Sequence, residues 1–387
     1  MNRPDPITVA MQSAIDGGIF PGAVLAIRLR GQLVFQRAFG HAALIPEQEP
    51  ASLETIYDLA SLTKPLATTT AILCLVQDRR LGLDDSLADF LPELKERAVG
   101  RVKIFHLLNH SSGLPAWRPL YQTIFAYEQT TPGFLGSQTA RRMAIDCIGQ
   151  EALVYPTGSQ SLYSDLGFIL LGMLVERISG CSLAVFCRDR VYDPLHVDSL
   201  FFLSAGAMVG AGAAMRSIDL VKVAPTEHDS WRGRLLRAEV HDENAYALGG
   251  IAGHAGLFGT ASAVLMISGC WLQSYLGRNE FLPTDLVRQF TVRQATAGSS
   301  WGLGWDTPSA PSSSGTHFSP QSFGHLGFTG TSIWVDPVRE LEVVLLSNRV
   351  HPTRHSKGMQ QFRPLIHDVI YREVTGNCLS SPRKDSG

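Results

Sequence analysis

Segments rich in β-branched and aliphatic residues lie near both ends of the chain, and this placement limits the possible folds more than any other feature. Residues 22–40 read GAVLAIRLRGQLVFQRAFG, in which two strand-like arms flank a short turn centred on Gly31. Residues 331–337 and 341–348 form a second pair of apolar arms around another turn. Such arms joined by tight turns predict β-hairpins. Hairpins at opposite ends of a chain predict one antiparallel sheet built from both termini.

Helical patterns and glycine-rich loops dominate the chain between the two hairpins. A strongly apolar helix is predicted over 64–79 and another apolar helix from LGFILLGMLVERISG at 166–180. Further helices are predicted over 7–16 and 357–374. We therefore expect an α+β fold. Helices flank the antiparallel sheet, and a mainly helical subdomain is inserted between its two halves.

This organisation predicts a single domain, residues 1–375, with two subdomains. The α/β subdomain comprises about 1–60 plus 300–375, the helical subdomain about 61–299, and 376–387 are expected to form a disordered tail. The chain is 45% apolar and 18% charged, which is enough apolar material for a core of this size. A ligand site is expected in the cleft between the subdomains.

The charge balance and the N-terminus restrict the partners and the compartment. The net charge is -2, from 33 Lys+Arg and 35 Asp+Glu, so no basic excess favours nucleic acid as a partner. Pro4, Asp5 and Asp16 interrupt the apolar stretch that an export signal needs, and no segment has the roughly 18 uninterrupted apolar residues of a membrane span. We expect a cytoplasmic protein without a membrane span.

Ser61 and Lys64 form an S-x-x-K pair at a predicted loop-to-helix junction, in DLASLTKPLATTTAILCLV. Residues three apart share a helix face, and Pro65 suits a first helical turn. A serine hydroxyl becomes an effective nucleophile when a neighbour accepts its proton, and a lysine whose pKa is lowered by burial can accept it or assist another base. A second copy of the motif, Ser381 to Lys384, falls in the predicted tail and is interpreted as chance.

Tyr163 and Asp165 belong to a Y-S-D sequence that closes a Gly/Ser-rich loop before the apolar helix. A phenol beside an ammonium group ionises more easily, and as a phenolate Tyr163 would take the proton of Ser61. The alternative interpretation is structural, with Tyr163 packed at a helix entry that Asp165 caps. Taken alone, the Y-S-D sequence favours the structural interpretation.

His325 opens an H-L-G sequence within SFGHLGFTGTSIWVDP, a glycine-rich stretch that leads into a predicted strand. Glycine at such a place lets a backbone approach a ligand closely. A histidine before a strand is, taken singly, more often structural. This sequence is the third motif in chain order, after S-x-x-K and Y-S-D.

The three motifs in this order resemble those of the serine β-lactamase and penicillin-binding-protein superfamily. The resemblance extends over about residues 8–375 and includes the connecting phrases KIFHLLNHSSGLP at 103–115 and LGGIAGHAGLFGTAS at 248–262. The chain is most similar to the class C-like branch, which includes class C β-lactamases, low-molecular-weight penicillin-binding proteins, D-stereospecific peptidases and family VIII carboxylesterases. Together the motifs are specific for fold and mechanism but not for substrate.

The resemblance implies that Ser61 is acylated, and that Lys64 and Tyr163 share the handling of its proton. Water then releases the acyl group, so that two moderate barriers replace one large barrier. We expect no cofactor and no metal ion for this reaction.

The resemblance also implies that the third motif, His325 to Gly327, lines the opposite wall of the cleft. The backbone N–H groups of Ser61 and Phe328 would form the oxyanion hole.

Two residues depart from the pattern of the superfamily. Its second motif usually reads Y-x-N, whereas this chain has Asp165, and a carboxylate cannot donate a hydrogen bond to a substrate carbonyl as an amide can. Asp165 would instead hold Lys64 as an ion pair or meet a cationic group of the substrate. His325 replaces the usual lysine, and a histidine is mostly neutral at pH 7. Both departures argue against an efficient β-lactamase.

Three polar residues of the segment 228–256 are further candidates for the site. His241, Asp242 and His254 are expected to line the cleft, with a loop held by internal hydrogen bonds as the alternative. We expect no metal site from His241, His254, His351 and His355, because no helix presents two of them as convergent ligands.

These observations predict a serine hydrolase that cleaves an amide or ester bond, with a peptidase or amidase on small peptides or cell-wall fragments as the preferred form. A carboxylesterase is the main alternative, and a β-lactamase is less favoured. A ligand-binding sensor module is the non-enzymatic alternative. The expected partner is a small-molecule or peptide substrate, and the sequence leaves the oligomeric state open.

Overall fold

The computed structural model describes residues 5–204, 207–209 and 219–376. Its strands, in chain order, are β1 Gly22–Leu29, β2 Gln32–Ala43, β3 Glu49–Pro50, β4 Tyr57–Asp58, β5 Leu200–Ser204, β6 Ala207–Val209, β7 His228–Asp229, β8 Arg234–Leu235, β9 Leu257–Gly259, β10 Phe323–Leu326, β11 Ser332–Asp336 and β12 Leu341–Ser347. Its α-helices are α1 Pro6–Asp16, α2 Thr70–Gln77, α3 Ile104–Leu108, α4 Leu120–Glu128, α5 Gln138–Gly149, α6 Asp165–Ser179, α7 Leu183–Cys187, α8 Glu243–Ala247, α9 Ala261–Tyr275, α10 Thr284–Thr291 and α11 Met359–Gly376. Of the predicted tail 376–387, Gly376 ends α11 and the rest lies outside the described residues.

The largest sheet has six antiparallel strands in the order β10-β11-β12-β1-β2-β3. The N-terminal hairpin joins the C-terminal one along β1 and β12, where Ala23 pairs with Ser347 and Leu29 with Leu341. In the first hairpin, Arg30 and Gly31 have φ of 51° and 76°. Two successive positive φ values suit the right-handed twist of a two-residue hairpin turn. The expected sheet from both termini is therefore confirmed.

Helices cover both faces of this sheet, and the side chains of strand β1 pack against the helices on each face. Its side chains alternate between two hydrophobic clusters, because successive residues of a strand point to opposite faces. Leu25 and Ile27 pack with α1 and α11, whereas Val24 and Ala26 belong to the larger cluster, which includes residues of α2, α6 and α9. Helices from the two ends of the chain thus share one face of the sheet.

The helical middle also contains a four-stranded sheet in the order β4-β9-β5-β6, which the sequence did not predict. Strands β4 and β9 have two and three residues, too few to produce a recognisable alternation. Strand β4 ends at Asp58, three residues before Ser61. This small sheet therefore fixes the start of the segment that carries the predicted nucleophile.

In the part of the chain that the structure describes, no single helix has both the length and the apolar composition needed to cross a bilayer. One pair of helical segments, Asp165–Ser179 and Leu183–Tyr192, meets these criteria together, with a bend of 73° between them.

Candidate active site

Ser61 lies in a single 3-10 turn, Ala60–Leu62, that directly follows the small sheet. Ala60 has φ 48°, a left-handed conformation that costs energy for a residue with a side chain and that is found at functional sites. The chain then continues as π-helix over Lys64–Thr69 and becomes α-helical only at Thr70. The predicted regular helix over 64–79 is corrected accordingly. The predicted junction at Ser61 is present.

Lys64 is fully buried and connects three parts of the site. Its Nζ donates to Ser61 Oγ at 2.9 Å and to the backbone oxygen of His254 at 3.1 Å. Its Nζ also lies 2.7 Å from Asp165 Oδ1. Of the two roles considered for Asp165, the structure shows the ion pair with Lys64. A buried ammonium group needs such partners, because burying an unpaired charge is costly.

The protonation of this centre differs from the prediction. Burial lowers the pKa of Lys64, but Asp165 and Tyr163 raise it by more, so that its pKa lies above the usual value. Burial raises the pKa of Tyr163, and the Lys64 cation offsets this only in part. The prediction that the pKa of Lys64 is lowered is therefore wrong for this site. The prediction that Tyr163 ionises easily is wrong as well. At neutral pH the resting centre holds an ammonium group and a neutral phenol.

Tyr163 sits in an aromatic enclosure beside the lysine. The centre of its ring is 4.8 Å from Lys64 Nζ, 4.6 Å from the His110 ring and 5.4 Å from the Trp301 ring. The Lys64 cation lies over the face of the Tyr163 ring. These contacts place Tyr163 beside Lys64 in the site rather than at a helix entry alone.

The cap of the following helix is Ser164, not Asp165 as the structural interpretation had it. Helix α6 begins at Asp165, and the Ser164 hydroxyl accepts from the N–H of Gly167. Because Ser164 takes the capping role, the Asp165 carboxylate is available to Lys64.

The third motif lies at the end of the edge strand β10, and the loop that follows is tied to the nucleophile segment. The Thr329 hydroxyl donates to the backbone oxygen of Asp58 at 2.8 Å, and the Thr331 hydroxyl donates to that of Leu59 at 3.0 Å. The side chain of Asp58 in turn accepts from the N–H of Ala60 at 2.8 Å. The two halves of the predicted oxyanion hole therefore belong to one hydrogen-bonded unit.

Two arginine side chains donate to three carbonyl groups of this loop. Arg349 Nε donates to the backbone oxygen of Phe328, and Arg363 Nη2 donates to those of Gly327 and Thr331, each at 2.8 Å. The backbone N–H groups of Phe328 and Ser61, by contrast, have no acceptor within the described ranges. Two unused N–H donors beside a serine hydroxyl are the arrangement that stabilises an oxyanion.

A cavity of about 720 Å³ opens over Ser61. It is lined by residues from all three motifs, by aromatic side chains and by several charged groups: Ser61, Tyr163, Asp165, His325, Gly327, Phe328, Trp117, Tyr121, Trp301, His241, Asp242, Glu243, Asp306, Arg354 and Arg363. The predicted cleft residue His241 is among them, and its ring stacks on Phe328 with centres 5.6 Å apart. His254 is not. Its ring is buried against Asp242 at 2.8 Å, and only its carbonyl group contacts the centre.

Sequence reasoning missed several residues of this site. His110 is buried with φ 58°, and its Nδ1 accepts from the N–H of Ser164 at 3.1 Å, which holds the Y-S-D loop. Trp301 and Asp306 reach the cavity from one segment and Arg354 from another, and both segments are far from Ser61 in the chain. No local pattern marks such residues, since each is brought to the site by the tertiary fold.

The histidines considered as metal ligands serve other purposes where the structure shows them. His351 Nε2 accepts from the N–H of Leu44 at 2.9 Å, and His241 Nε2 lies 2.9 Å from Glu227. Across residues 5–204, 207–209 and 219–376, no three His, Cys, Asp or Glu side chains are grouped as metal ligands would be.

Comparisons with known proteins agree with this geometry. A family model described as Beta-lactamase matches residues 10–366. An N-acetylmuramyl-L-alanine amidase of Bacillus subtilis (strain 168) is 31% identical over 354 residues, which are 86% of this chain and 78% of that protein. A protein of Escherichia coli (strain K12), provisionally named a D-alanyl-D-alanine carboxypeptidase, is 31% identical over 354 residues, with coverage of 86% and 79%.

A solved structure shares the architecture. EstCE1, a hydrolase with promiscuous acyltransferase activity, superposes with a TM-score of 0.71 at 23% identity, over 94% of this chain and 97% of that one. Similarity at this identity bears on the fold alone. It confirms the predicted α+β architecture.

Proposed function

The chain belongs to the β-lactamase family and is a serine hydrolase, and on that premise we propose that it cleaves an amide bond in a small peptide or cell-wall fragment through an acyl-Ser61 intermediate. The observation that carries the proposal is the position of Lys64 Nζ, 2.9 Å from Ser61 Oγ and 2.7 Å from Asp165 Oδ1. A proton donor or acceptor within hydrogen-bond distance is what a serine nucleophile requires. The names of the two relatives, an amidase and a carboxypeptidase, support an amide as the substrate bond.

In the proposed reaction, Ser61 Oγ attacks the carbonyl carbon of the substrate. The reactive molecules are those in which the unit formed by Lys64 and Tyr163 has already lost one proton. In these molecules the proton of Ser61 passes to that unit. The N–H groups of Ser61 and Phe328 donate to the oxyanion. The C–N bond then breaks, and the leaving nitrogen takes the proton from the unit. Water attacks the acyl-Ser61 ester by the same route, which releases the acid and restores the serine.

The cavity supports a substrate of peptide or muropeptide size rather than a small ester. Its volume of about 720 Å³ lies within the range of sites for drug-sized ligands. Trp117, Tyr121 and Trp301 contribute aromatic surface to it. Aromatic rings with a polar edge offer contact area to both sugar and peptide groups.

The same site is expected to hydrolyse activated esters as a side activity, because a phenolate leaving group needs no protonation. We expect measurable hydrolysis of p-nitrophenyl acetate or butyrate. A chromogenic cephalosporin should have kcat/KM at least about 10²-fold lower, a difference of roughly 2.7 kcal/mol. Cephalosporin turnover faster than that of every ester and peptide tested would contradict this order.

The proposal is tested by acylation of the protein. A fluorophosphonate probe should add one adduct, on the tryptic peptide that contains Ser61, as read by mass spectrometry. Ser61→Ala should abolish both the adduct and turnover. Ser159→Ala changes an exposed serine outside the cavity and serves as the matched control. Full turnover by Ser61→Ala would end the proposal.

A further inference from the structure

His325 offers the cavity a hydrogen-bond acceptor. The residue is only 2% exposed, and its Nδ1 lies 2.8 Å from the backbone oxygen of Leu326. A carbonyl oxygen can only accept, so Nδ1 must carry the hydrogen, and in a neutral ring the lone pair is then on Nε2. This Nε2 has no partner among the described residues, although His325 lines the cavity over Ser61.

The ring of His325 is neutral at physiological pH. Burial and the nearby Lys64 cation lower its pKa to about 3. Where the superfamily usually has a lysine ammonium, this chain therefore has an uncharged acceptor. A buried acceptor without a partner destabilises the free enzyme, and a donor on the substrate would remove that cost.

None of the cations around the cavity belongs to the third motif, and two of the three are paired with carboxylates. Lys64 pairs with Asp165, and Arg354 pairs with Glu227 and Glu243. Arg363 has no carboxylate partner among the described residues, but its Nη2 donates to two carbonyl groups of the loop after the third motif.

The remaining charged group of this wall is acidic. Asp306 lines the cavity beside the third motif, and its backbone pairs with that of Gly324 in β10. Its carboxyl group accepts from the Ser300 hydroxyl at 2.6 Å. In the described parts of the chain it has no basic partner. The wall therefore combines an acceptor with an acidic group, which disfavours a substrate anion.

We propose that the wall formed by His325 and Asp306 selects substrates that present an N–H or O–H donor beside the scissile bond and rejects those with a free carboxylate there. The inference rests on the proposed function, since the substrate is that of the same site. With this selectivity, the enzyme cleaves an amide bond within a longer chain or next to an amidated end. It does not remove a C-terminal residue that has a free carboxylate. Sites built around buried hydrogen-bonding groups discriminate strongly in this way.

The test compares two peptides that differ only at this group, acetyl-D-alanyl-D-alaninamide and acetyl-D-alanyl-D-alanine. The full chain should cleave the amidated peptide with kcat/KM at least about 10-fold higher. His325→Lys installs the cation of the superfamily and should reduce this ratio by at least about 10-fold. His355→Lys makes the same chemical change at an exposed histidine outside the cavity and should leave the ratio unchanged.

Binding to Ser61→Ala, measured by calorimetry, decides the inference even if neither peptide is cleaved. Tighter binding of the amidated peptide, lost in Ser61→Ala/His325→Lys, supports it. Equal or tighter binding of the free acid, or a ratio that His325→Lys does not change, overturns it. Absence of a fluorophosphonate adduct on Ser61 in the unmodified protein would count against the proposed function and not against this selectivity.

Discussion

Asp165 sets the protonation of the catalytic centre. An asparagine would hydrogen-bond to Lys64 without charge, whereas the carboxylate lies 2.7 Å from its Nζ and stabilises the ammonium form. Burial lowers the pKa of Lys64, and Asp165 is the largest of the influences that raise it above the usual value. Lys64 must lose a proton before it can accept one from Ser61, and Asp165 stabilises the ammonium form, which cannot accept. The pH dependence of turnover should show this.

Asp165→Asn is expected to shift the pH–rate profile to lower pH. Removing the carboxylate leaves burial as the main influence on the pKa of Lys64, and burial lowers it. The rise of kcat/KM with pH, measured on a p-nitrophenyl ester, should therefore occur at lower pH in the variant. A shift to higher pH would contradict this and show that Asp165 itself takes the proton through Lys64. Asp16→Asn, in an exposed position on α1, is the control.

Lys64 and Tyr163 are expected to act as one unit. Lys64→Ala and Tyr163→Phe should each reduce turnover by roughly 10²–10⁴-fold, the usual range for general acid–base groups. Because Lys64 Nζ lies 4.8 Å from the centre of the Tyr163 ring and both residues would handle the same proton, the double variant should be little slower than the slower single variant. Losses that multiply in full would show that the two residues act independently.

At the scale of elements, the loop 327–331 and the turn that carries Ser61 form one structure. Thr329 and Thr331 donate to the backbone oxygens of Asp58 and Leu59, and Arg349 and Arg363 donate to carbonyl groups of the loop itself. The N–H of Phe328 is thereby held at a fixed place relative to the nucleophile. A donor that stabilises a developing charge is effective only if it does not have to reorganise.

Thr329→Val should therefore impair catalysis more than binding. It removes a hydroxyl that is 1% exposed and leaves the backbone oxygen of Asp58 without this donor, at a cost of about 1–3 kcal/mol. We expect kcat to fall about 10- to 100-fold through misplacement of the oxyanion donors, with KM nearly unchanged. Thr316→Val removes an exposed hydroxyl far from the cavity and is the control. An unchanged kcat in Thr329→Val would contradict the coupling.

At the scale of the whole molecule, the two ends of the chain complete one layer. Helices α1 and α11 cover the same face of the sheet, and their apolar side chains form one cluster with β1 and β12. Neither end can be removed without exposing that cluster. Stability should therefore depend on α11 as much as on the segments beside Ser61.

Ile366→Ala is expected to lower the free energy of unfolding by about 2–5 kcal/mol, the usual cost of truncating a buried aliphatic side chain. Ile366 is 0% exposed in the cluster under the sheet. Its neighbour Leu365 is 52% exposed on the same helix, so Leu365→Ala should change stability by no more than about 0.5 kcal/mol. Chemical denaturation of both variants provides the measurement. Equal losses would contradict the placement of α11 on the sheet.

The parts of the fold that could be predicted from sequence are those that local patterns encode. The turn at Gly31 and the apolar arms beside it, and the period of helix α6, follow from residues that lie close together in the chain. The small sheet was not predictable, because β4 is two residues long and depends on its partners β9 and β5 rather than on its own pattern.

The candidate site shows the same division. The sequence by itself determined the family and the three motifs, because the chemistry of an acyl-serine needs particular residue types in short, recognisable segments. Only the tertiary structure decided the protonation and the surroundings of these residues. It paired Asp165 with Lys64, fixed the hydrogen of His325 on Nδ1, and brought Trp301 and Asp306 to the cavity. Protonation and hydrogen-bond direction depend on burial and on neighbours distant in the chain, and those are set when the chain folds.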